Sequence, residues 1–404
     1  MANKLGKKHV IDRNVHELAL ERIRTAYDRF DTVSVMFSGG KDSTACLHLV
    51  LEVARERGID RVRVDHFDEE AIPYDTEHYV RRVAQLPDVD LNWWCVPVRH
   101  RNACSLQKPW WFPWGPEDED KWVRPMPPEG ISHLDGYPTS KPEDRLTIPE
   151  MNGLLFNPEK DGNVGIVMGI RADESLTRTR AILSGRSRDD VHIIKYDEGT
   201  SPGNIYKVYP IYDWSTKDVW TAPKKFGWDY NRAYDVMDKG GIRPHSQRCA
   251  PPYGEEPMRG LYQFRELWPD IWDKMQMRVE GAATAARYAT TVLYSYNRNP
   301  EKPDNVAWHD FIKFWVSKHP EPYRSQVADR IRGFIQNHYN KTDEPILDKM
   351  AHPRTGVSWD FLLKIAVRGD FKNRKQPTII GGVDETIKQK RKYDAARFRS
   401  ATHK

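Results

Sequence analysis

The chain has 404 residues, 39% hydrophobic and 11% aromatic, enough to bury a large core in two domains or one heavily elaborated domain. A net charge of +5 fits an anionic ligand but does not demand nucleic acid at this length, and no apolar run approaches the roughly 20 residues that span a bilayer. The basic start (MANKLGKKH) has no apolar signal core behind it, so the expected location is cytoplasmic, and Cys46, Cys95, Cys104 and Cys249 form no C-x-x-C pair, against both an iron–sulfur cluster and a disulfide framework.

Val15, Leu18, Ile23, Tyr27 and Phe30 recur at three-to-four spacing and predict an amphipathic helix over about 13–30. A strand is expected over 32–37, then a glycine loop, a helix over 45–57 ending at Gly58, and a second strand over 61–67. With a helix over 74–86, a third strand over 91–96 and a fourth over 164–168, the alternation is that of an α/β doubly wound parallel sheet. Between the third and fourth strands, residues 106–149 are rich in proline and carry Trp110, Trp111, Trp114 and Trp122. Such a stretch is either a lid or binding insertion, or a loop whose tryptophans pin it to the core.

The segments 193–196 and 205–209 resemble a hairpin, and 215–226 and 231–239 read as helices. From about 257 onward every periodic segment is helical, at 258–267, 271–288, 306–318 and 323–339. The expected division is a nucleotide-binding α/β domain over 1–255 and a helical region over 256–404, closed by a basic tail at 388–399.

Ser38-Gly39-Gly40-Lys41-Asp42-Ser43-Thr44 lies between a predicted strand and a predicted helix, the setting a phosphate cradle requires. Glycines let the backbone approach an anion, successive N–H groups point at its oxygens, and the helix dipole adds favourable potential. Ser38, Ser43 and Thr44 are hydroxyl donors, and Asp42 beside a pyrophosphate calls for Mg²⁺ between them. A tight turn followed by a capped helix would use the same residue types.

Ser-Gly-Gly-Lys-Asp-Ser resembles the pyrophosphate loop (PP-loop) of the N-type ATP pyrophosphatases and of the phosphoadenosine phosphosulfate (PAPS) reductases, in the adenine nucleotide alpha hydrolase superfamily. The chain is most similar to PAPS reductase-like proteins of phages and bacteria that carry an extra helical C-terminal region. Gly169-Ile-Arg-Ala-Asp-Glu-Ser175, Trp214 with Asp218-Val-Trp220, Arg101-Asn102-Ala103 and Gly369-Asp370 also match, so the likeness spans nearly the whole chain. The resemblance implies ATP or PAPS as the nucleotide.

The Gly169 stretch follows the fourth strand, which puts its side chains at the carboxyl edge of the sheet beside the glycine loop. Arg171 and Arg178 there suit phosphate or sulfate oxygens, and Asp173 and Glu174 suit a metal or the orientation of those arginines. Asp68-Glu69-Glu70 after the second strand offers an acid to a ribose hydroxyl or an adenine amine, or is a set of solvated acids. Arg101 and Asn102 after the third strand complete the rim.

The Glu-Cys-Gly-Leu-His motif by which the true reductases attack sulfur is absent. Only Cys249, beside Arg243, His245 and Arg248, or Cys104 could replace its thiolate. The favoured expectation is therefore a transferase acting at the α-phosphate, with Lys41, Asp42, Arg171 and Arg178 catalytic and pyrophosphate released as an acceptor is adenylated. The alternatives are a sulfonucleotide reductase or sulfotransferase with a non-standard cysteine, and a nucleotide-responsive regulator. The resemblance implies a ParB-like protein or nucleic acid as partner, no membrane partner is expected, and a homo-oligomer is compatible with the sequence.

Overall fold

The computed structural model describes residues 11–139, 141–183, 192–196, 201–254, 257–288, 299–373, 375–377 and 379. Helix α1 (Val15–Arg29) is capped by Asn14, whose side chain accepts from the His16 N–H, and it buries Ala19, Leu20, Ile23 and Ala26. Strand β1 (Thr32–Met36) leads into α2 (Lys41–Glu56), then come β2 (Val62–Phe67), α3 (Tyr74–Ala84) and β3 (Val89–Trp94). Helix α2 starts four residues before its apolar pattern does, because Gly40 is its N-cap and the first turn is made of Lys41, Asp42 and Ser43, which hydrophobic periodicity does not register.

A short ribbon of β4 (His100–Arg101) and β5 (Trp110–Trp111) precedes two one-turn helices, α4 (Ile148–Met151) and α5 (Pro158–Asp161). Strand β6 (Val164–Val167), α6 (Leu176–Leu183), β7 (Ile193–Lys195), β8 (Ile205–Val208), α7 (Thr216–Phe226) and α8 (Ala233–Lys239) follow. The strand order is β3-β2-β1-β6-β8-β7, parallel throughout except for β7, which pairs antiparallel with β8 as the hairpin pattern predicts. The central strand β6 is an apolar run, as a parallel strand covered on both faces should be, whereas β1 carries a buried Ser34 whose hydroxyl donates to Asp65 Oδ2 at 2.7 Å.

One face of the sheet packs with α1 and α2 through Ile23, Leu47 and Val50. The other is covered by the proline-rich insertion and the short helices after it, through Leu134, Tyr137, Met151 and Phe156, which cluster with Val164, Ile166 and Ile205. Two of the four tryptophans of the insertion act as pins. Trp111 and Trp114 are buried, and the Trp114 indole N–H donates to the Asp68 carbonyl at 2.9 Å. A buried ion pair of Arg124 with Asp68 completes the attachment, and Arg278, paired with Glu70 at 2.9 Å, also reaches Asp118 of the insertion at 3.1 Å.

The chain forms two compact units, Leu5–Cys104 with Trp110–Ala289, and Ser105–Pro109 with the chain from Thr290 onward. The boundary expected near 255 thus falls inside the first unit. Helices α9 (Leu261–Leu267), α10 (Pro269–Arg278) and α11 (Ala282–Tyr288) belong with the sheet domain because Arg278 of α10 bonds both Glu70 and the Phe112 carbonyl. The second unit packs α12 (Trp308–Val316), α13 (Tyr323–Tyr339) and α14 (Trp359–Arg368) around Phe311, Ile331, Phe334 and Leu362. Helix α14, which Ser358 caps through the Phe361 N–H, is not among the predicted helices. The basic tail at 388–399 lies outside the described residues. Among them, no helix is long and apolar enough to cross a membrane.

Candidate functional site

The connection leaving β1 runs to β2 on one side, while β6 pairs on the other, so the carboxyl ends of β1 and β6 flank the point where strand order reverses. Ligands of open α/β sheets bind in the crevice outside such a point. The glycine loop follows β1 there, and Met168–Arg171 follows β6.

Gly39 has φ +71°, a left-handed conformation that favours glycine, and its carbonyl accepts from the Asn231 Nδ2 at 2.9 Å. The same amide donates to the Thr76 hydroxyl at 2.9 Å, and the Lys41 N–H donates to the Tyr234 hydroxyl at 2.9 Å. The loop is thus held from behind by Asn231, just ahead of α8, and by Tyr234 within it. Inside the loop the Ser43 hydroxyl donates to the Gly40 carbonyl at 3.0 Å and lies 3.0 Å from the Ser38 hydroxyl. Thr44 faces inward, accepting from the Tyr79 hydroxyl at 3.1 Å, so the expected contact of Thr44 with phosphate does not stand.

Gly169 is where the two crevice walls meet. A Cβ there would lie 2.6 Å from the Asp42 carbonyl carbon and 2.8 Å from the Ser43 nitrogen, so only glycine admits this approach. The approach brings Arg171, 1% exposed, onto α2: its Nε donates to Asp42 Oδ1 at 2.6 Å and its Nη1 to the Trp214 carbonyl at 3.3 Å. Asp42 Oδ2 lies 3.4 Å from Lys41 Nζ, and Asp173 Oδ2 lies 3.8 Å from Arg171 Nη1. Arg178 pairs with Glu174 within the same segment. Loop, lysine and both arginines therefore come together as the sequence predicts.

The expected metal role of Asp42 and Asp173 does not fit this arrangement. Both Asp42 oxygens face cations, and the Arg171 guanidinium approaches both carboxylates, bonding Asp42 and lying 3.8 Å from Asp173. Asp42 is better described as the anion that fixes Arg171.

Asp68 is fully buried under the insertion, bonded to Arg124 and to the Trp93 indole N–H at 2.8 Å, so it is a structural anchor rather than a ribose ligand. Burial raises its pKa, but Arg124 and then His66 outweigh that and hold the carboxyl below its ordinary range. Arg101 and Asn102 are buried too, and the Asn102 amide donates to the Glu280 carbonyl at 3.0 Å. Neither belongs to an open rim. Cys249 is buried at the edge of the cavity over the loop, its sulfur 3.4 Å from Asn231 Nδ2. Burial pushes its thiol up to about 11, and Cys104 up to about 12, the reverse of the activation expected from Arg243, His245 and Arg248.

A cavity of about 300 Å³ opens over the loop, lined by Met36, Ser38, Lys41, Ser43, Gly169 and Arg178 among others. A second, of about 470 Å³, shares Lys41, Glu174, Arg248 and Ala250 with it and adds Arg171. Asn231 and Tyr234 carry no sequence signal as site residues, and Arg248 was expected only as a neighbour of Cys249, not as part of the phosphate cavity. Asn231 and Tyr234 reach the loop only through the packing of the α8 region against it.

Residues 241–351 are similar to the family described as a domain of unknown function, DUF3440. Among solved structures, the chain is similar to the FMN adenylyltransferase of Candida glabrata, with 14% identity and TM-score 0.35 over 57% of this chain and 62% of that one. Less than two thirds of that protein is therefore spanned. It is also similar to a phosphoadenylyl-sulfate (PAPS) reductase from Candida auris in a phosphate complex (13%, TM-score 0.29, 57% and 94% covered). A third likeness is to the U34-tRNA thiolase NcsA from Methanococcus maripaludis with its [4Fe-4S] cluster (11%, TM-score 0.29, 72% and 90% covered). At 30% identity over 367 residues, 89% of each protein, the chain belongs to the family of the uncharacterized protein YbdN of Escherichia coli (strain K12).

Proposed function

We propose that this protein is a PP-loop enzyme that binds ATP at the β1–β6 crevice and transfers its adenylyl group to an acceptor, releasing pyrophosphate. The observation that supports this most is the docking of Gly169 on the first turn of α2, which sets Arg171 and Lys41 beside the glycine loop at a topological switch point. The loop amides and the Ser38 and Ser43 hydroxyls would hold the β and γ phosphates. An oxygen of the acceptor attacks the α-phosphorus, the bond from that phosphorus to the α–β bridging oxygen breaks, and its electron pair leaves with pyrophosphate. Lys41 and Arg171 neutralise the charge that grows on the bridging and α-phosphoryl oxygens. Asp42 keeps the guanidinium in place, and Arg178 extends the cationic edge. Magnesium enters with ATP as its complex, and no step is assigned to a protein-held metal.

The elevated thiols speak against a sulfonucleotide reductase, which needs a thiolate near neutral pH. The test is calorimetric titration with ATP and with PAPS, followed by assays for pyrophosphate and for sulfite. ATP binding with pyrophosphate release supports the proposal, and sulfite released from PAPS overturns it.

A further inference from the structure

The 470 Å³ cavity has two unlike sides. Its glycine-loop side carries Lys41 and Arg171, and Arg248 belongs to this cavity and to the phosphate cavity alike. With all partners counted, the side that meets the nucleotide crevice holds four cations, Lys41, Arg171, Arg178 and Arg248, against three acids, Asp42, Asp173 and Glu174, so its net charge attracts anions. Met237, Ile242, Phe264 and Trp268 supply an apolar wall, with the Phe264 and Trp268 rings 5.1 Å apart at 47°. The Trp268 ring is fixed by its indole N–H, which donates to Asp75 Oδ2 at 3.2 Å. Gln263 adds one half-buried amide. Most lining residues lie between Ile242 and Trp268, so the segment similar to the domain of unknown function forms most of this wall.

We propose that this cavity is the acceptor subsite and that it takes a small aromatic acid, its anionic oxygen toward Lys41, Arg171 and Arg248 and its ring on Phe264 and Trp268. The inference rests on the adenylyl-transfer reading and names its acceptor. A volume of about 470 Å³ lies within the rough 300–1,000 Å³ range of small-molecule sites, and an apolar wall with a few convergent polar groups is their usual make-up. In the reaction, a carboxylate oxygen of the acid forms the new bond to the α-phosphorus as the bond to the bridging oxygen breaks. The products are an acyl adenylate and pyrophosphate, with no proton or oxidant required. Charge attraction thus places the nucleophile beside the phosphate that it attacks, which is the positional advantage a transferase needs.

The test titrates the full-length protein, preloaded with α,β-methylene-ATP, with three carboxylate probes of increasing ring size, benzoate, 1-naphthoate and anthracene-9-carboxylate, and with neutral 1-naphthalenemethanol. Gln263→Glu puts a negative charge into the cavity and should weaken binding of the best carboxylate by about tenfold or more while leaving the neutral alcohol within about twofold. Phe264→Leu preserves the apolar core position and should weaken the best carboxylate and the neutral alcohol alike by at least about threefold. Neither residue lines the phosphate cavity, so the affinity for the ATP analogue should hold within about twofold in both variants. Absence of carboxylate binding while the analogue binds would sink the acceptor inference alone, and failure of the analogue to bind would sink the nucleotide reading itself. Equal carboxylate affinity in wild type and Gln263→Glu would overturn the subsite, as would binding of a single-stranded oligonucleotide where the acids fail.

Discussion

Replacing Gly169 by alanine tests the joint on which the site depends. The added methyl would meet the Asp42 carbonyl carbon at 2.6 Å, the Asp42 carbonyl oxygen at 2.8 Å and the Ser43 nitrogen at 2.8 Å. Ordinary contacts between carbon atoms lie at about 3.5–4.0 Å, so the segment after β6 and the first turn of α2 must part by nearly 1 Å. All three neighbours are backbone, and no rotamer change can relieve them. Overpacking of this kind costs about 1–3 kcal/mol, and the upper end is expected here because two main chains must move. The same shift misplaces Arg171, Asp42 and the loop amides, and a displacement of about 1 Å in a positioned site can cost on the order of 100-fold. Urea denaturation followed by ATP titration of the folded variant measures both effects. Gly333→Ala is the control, since that exposed glycine of α13 has open space around it and the change should stabilise by about 0.5–1 kcal/mol. Wild-type stability and affinity in Gly169→Ala would refute the reasoning.

Three further outcomes follow from the same geometry. Arg171→Lys keeps the charge but loses the fork that spans Asp42 and the Trp214 carbonyl, so ATP affinity should fall by about tenfold in calorimetry, whereas an unchanged value would make Arg171 purely structural. Cys249 should resist iodoacetamide in the native protein at neutral pH; because its folded pKa of about 11 exceeds the unfolded value of about 8.5, its stabilising contribution is complete below about pH 8.5 and is lost as pH rises toward 11, and rapid native alkylation at pH 7 would contradict this. Asp68→Asn removes one partner of a buried pair and should cost about 3–5 kcal/mol in urea without a direct effect on ATP affinity; in the wild type the contribution of this depressed carboxyl is present above its unfolded pKa and lost as pH falls through the folded one, which acid titration of stability would register.

The parallel sheet was legible because short β-rich segments such as Thr32–Met36 and Val164–Val167 alternate with helices of period 3.6, and the glycine loop was legible because its residues are contiguous. Lys41, Asp42, Gly169 and Arg171 could be grouped in advance for a simple reason: each follows a strand that ends at one sheet edge. What adjacency could not convey was orientation. Thr44 and Asp68 sit beside the right strand ends but turn inward, toward Tyr79 and Arg124, since a buried partner far away in sequence decides the direction of a polar side chain. Asn231 and Tyr234 illustrate the converse case, a loop support contributed from nearly 200 residues away with no local pattern to mark it. The tryptophan-rich insertion was ambiguous in sequence because pinning a loop and covering a ligand use the same aromatic residues, and the burial of Trp111 and Trp114 settles that question for those two.

The central claim is adenylyl transfer at the glycine loop, and incubation with ATP labelled at both the α and γ positions tests it most directly. The label should divide between pyrophosphate, carrying γ, and an AMP-containing product, carrying α, and Gly169→Ala and Arg171→Lys should each slow that division by about tenfold or more. Release of γ-phosphate as orthophosphate with α and β still joined would contradict the account.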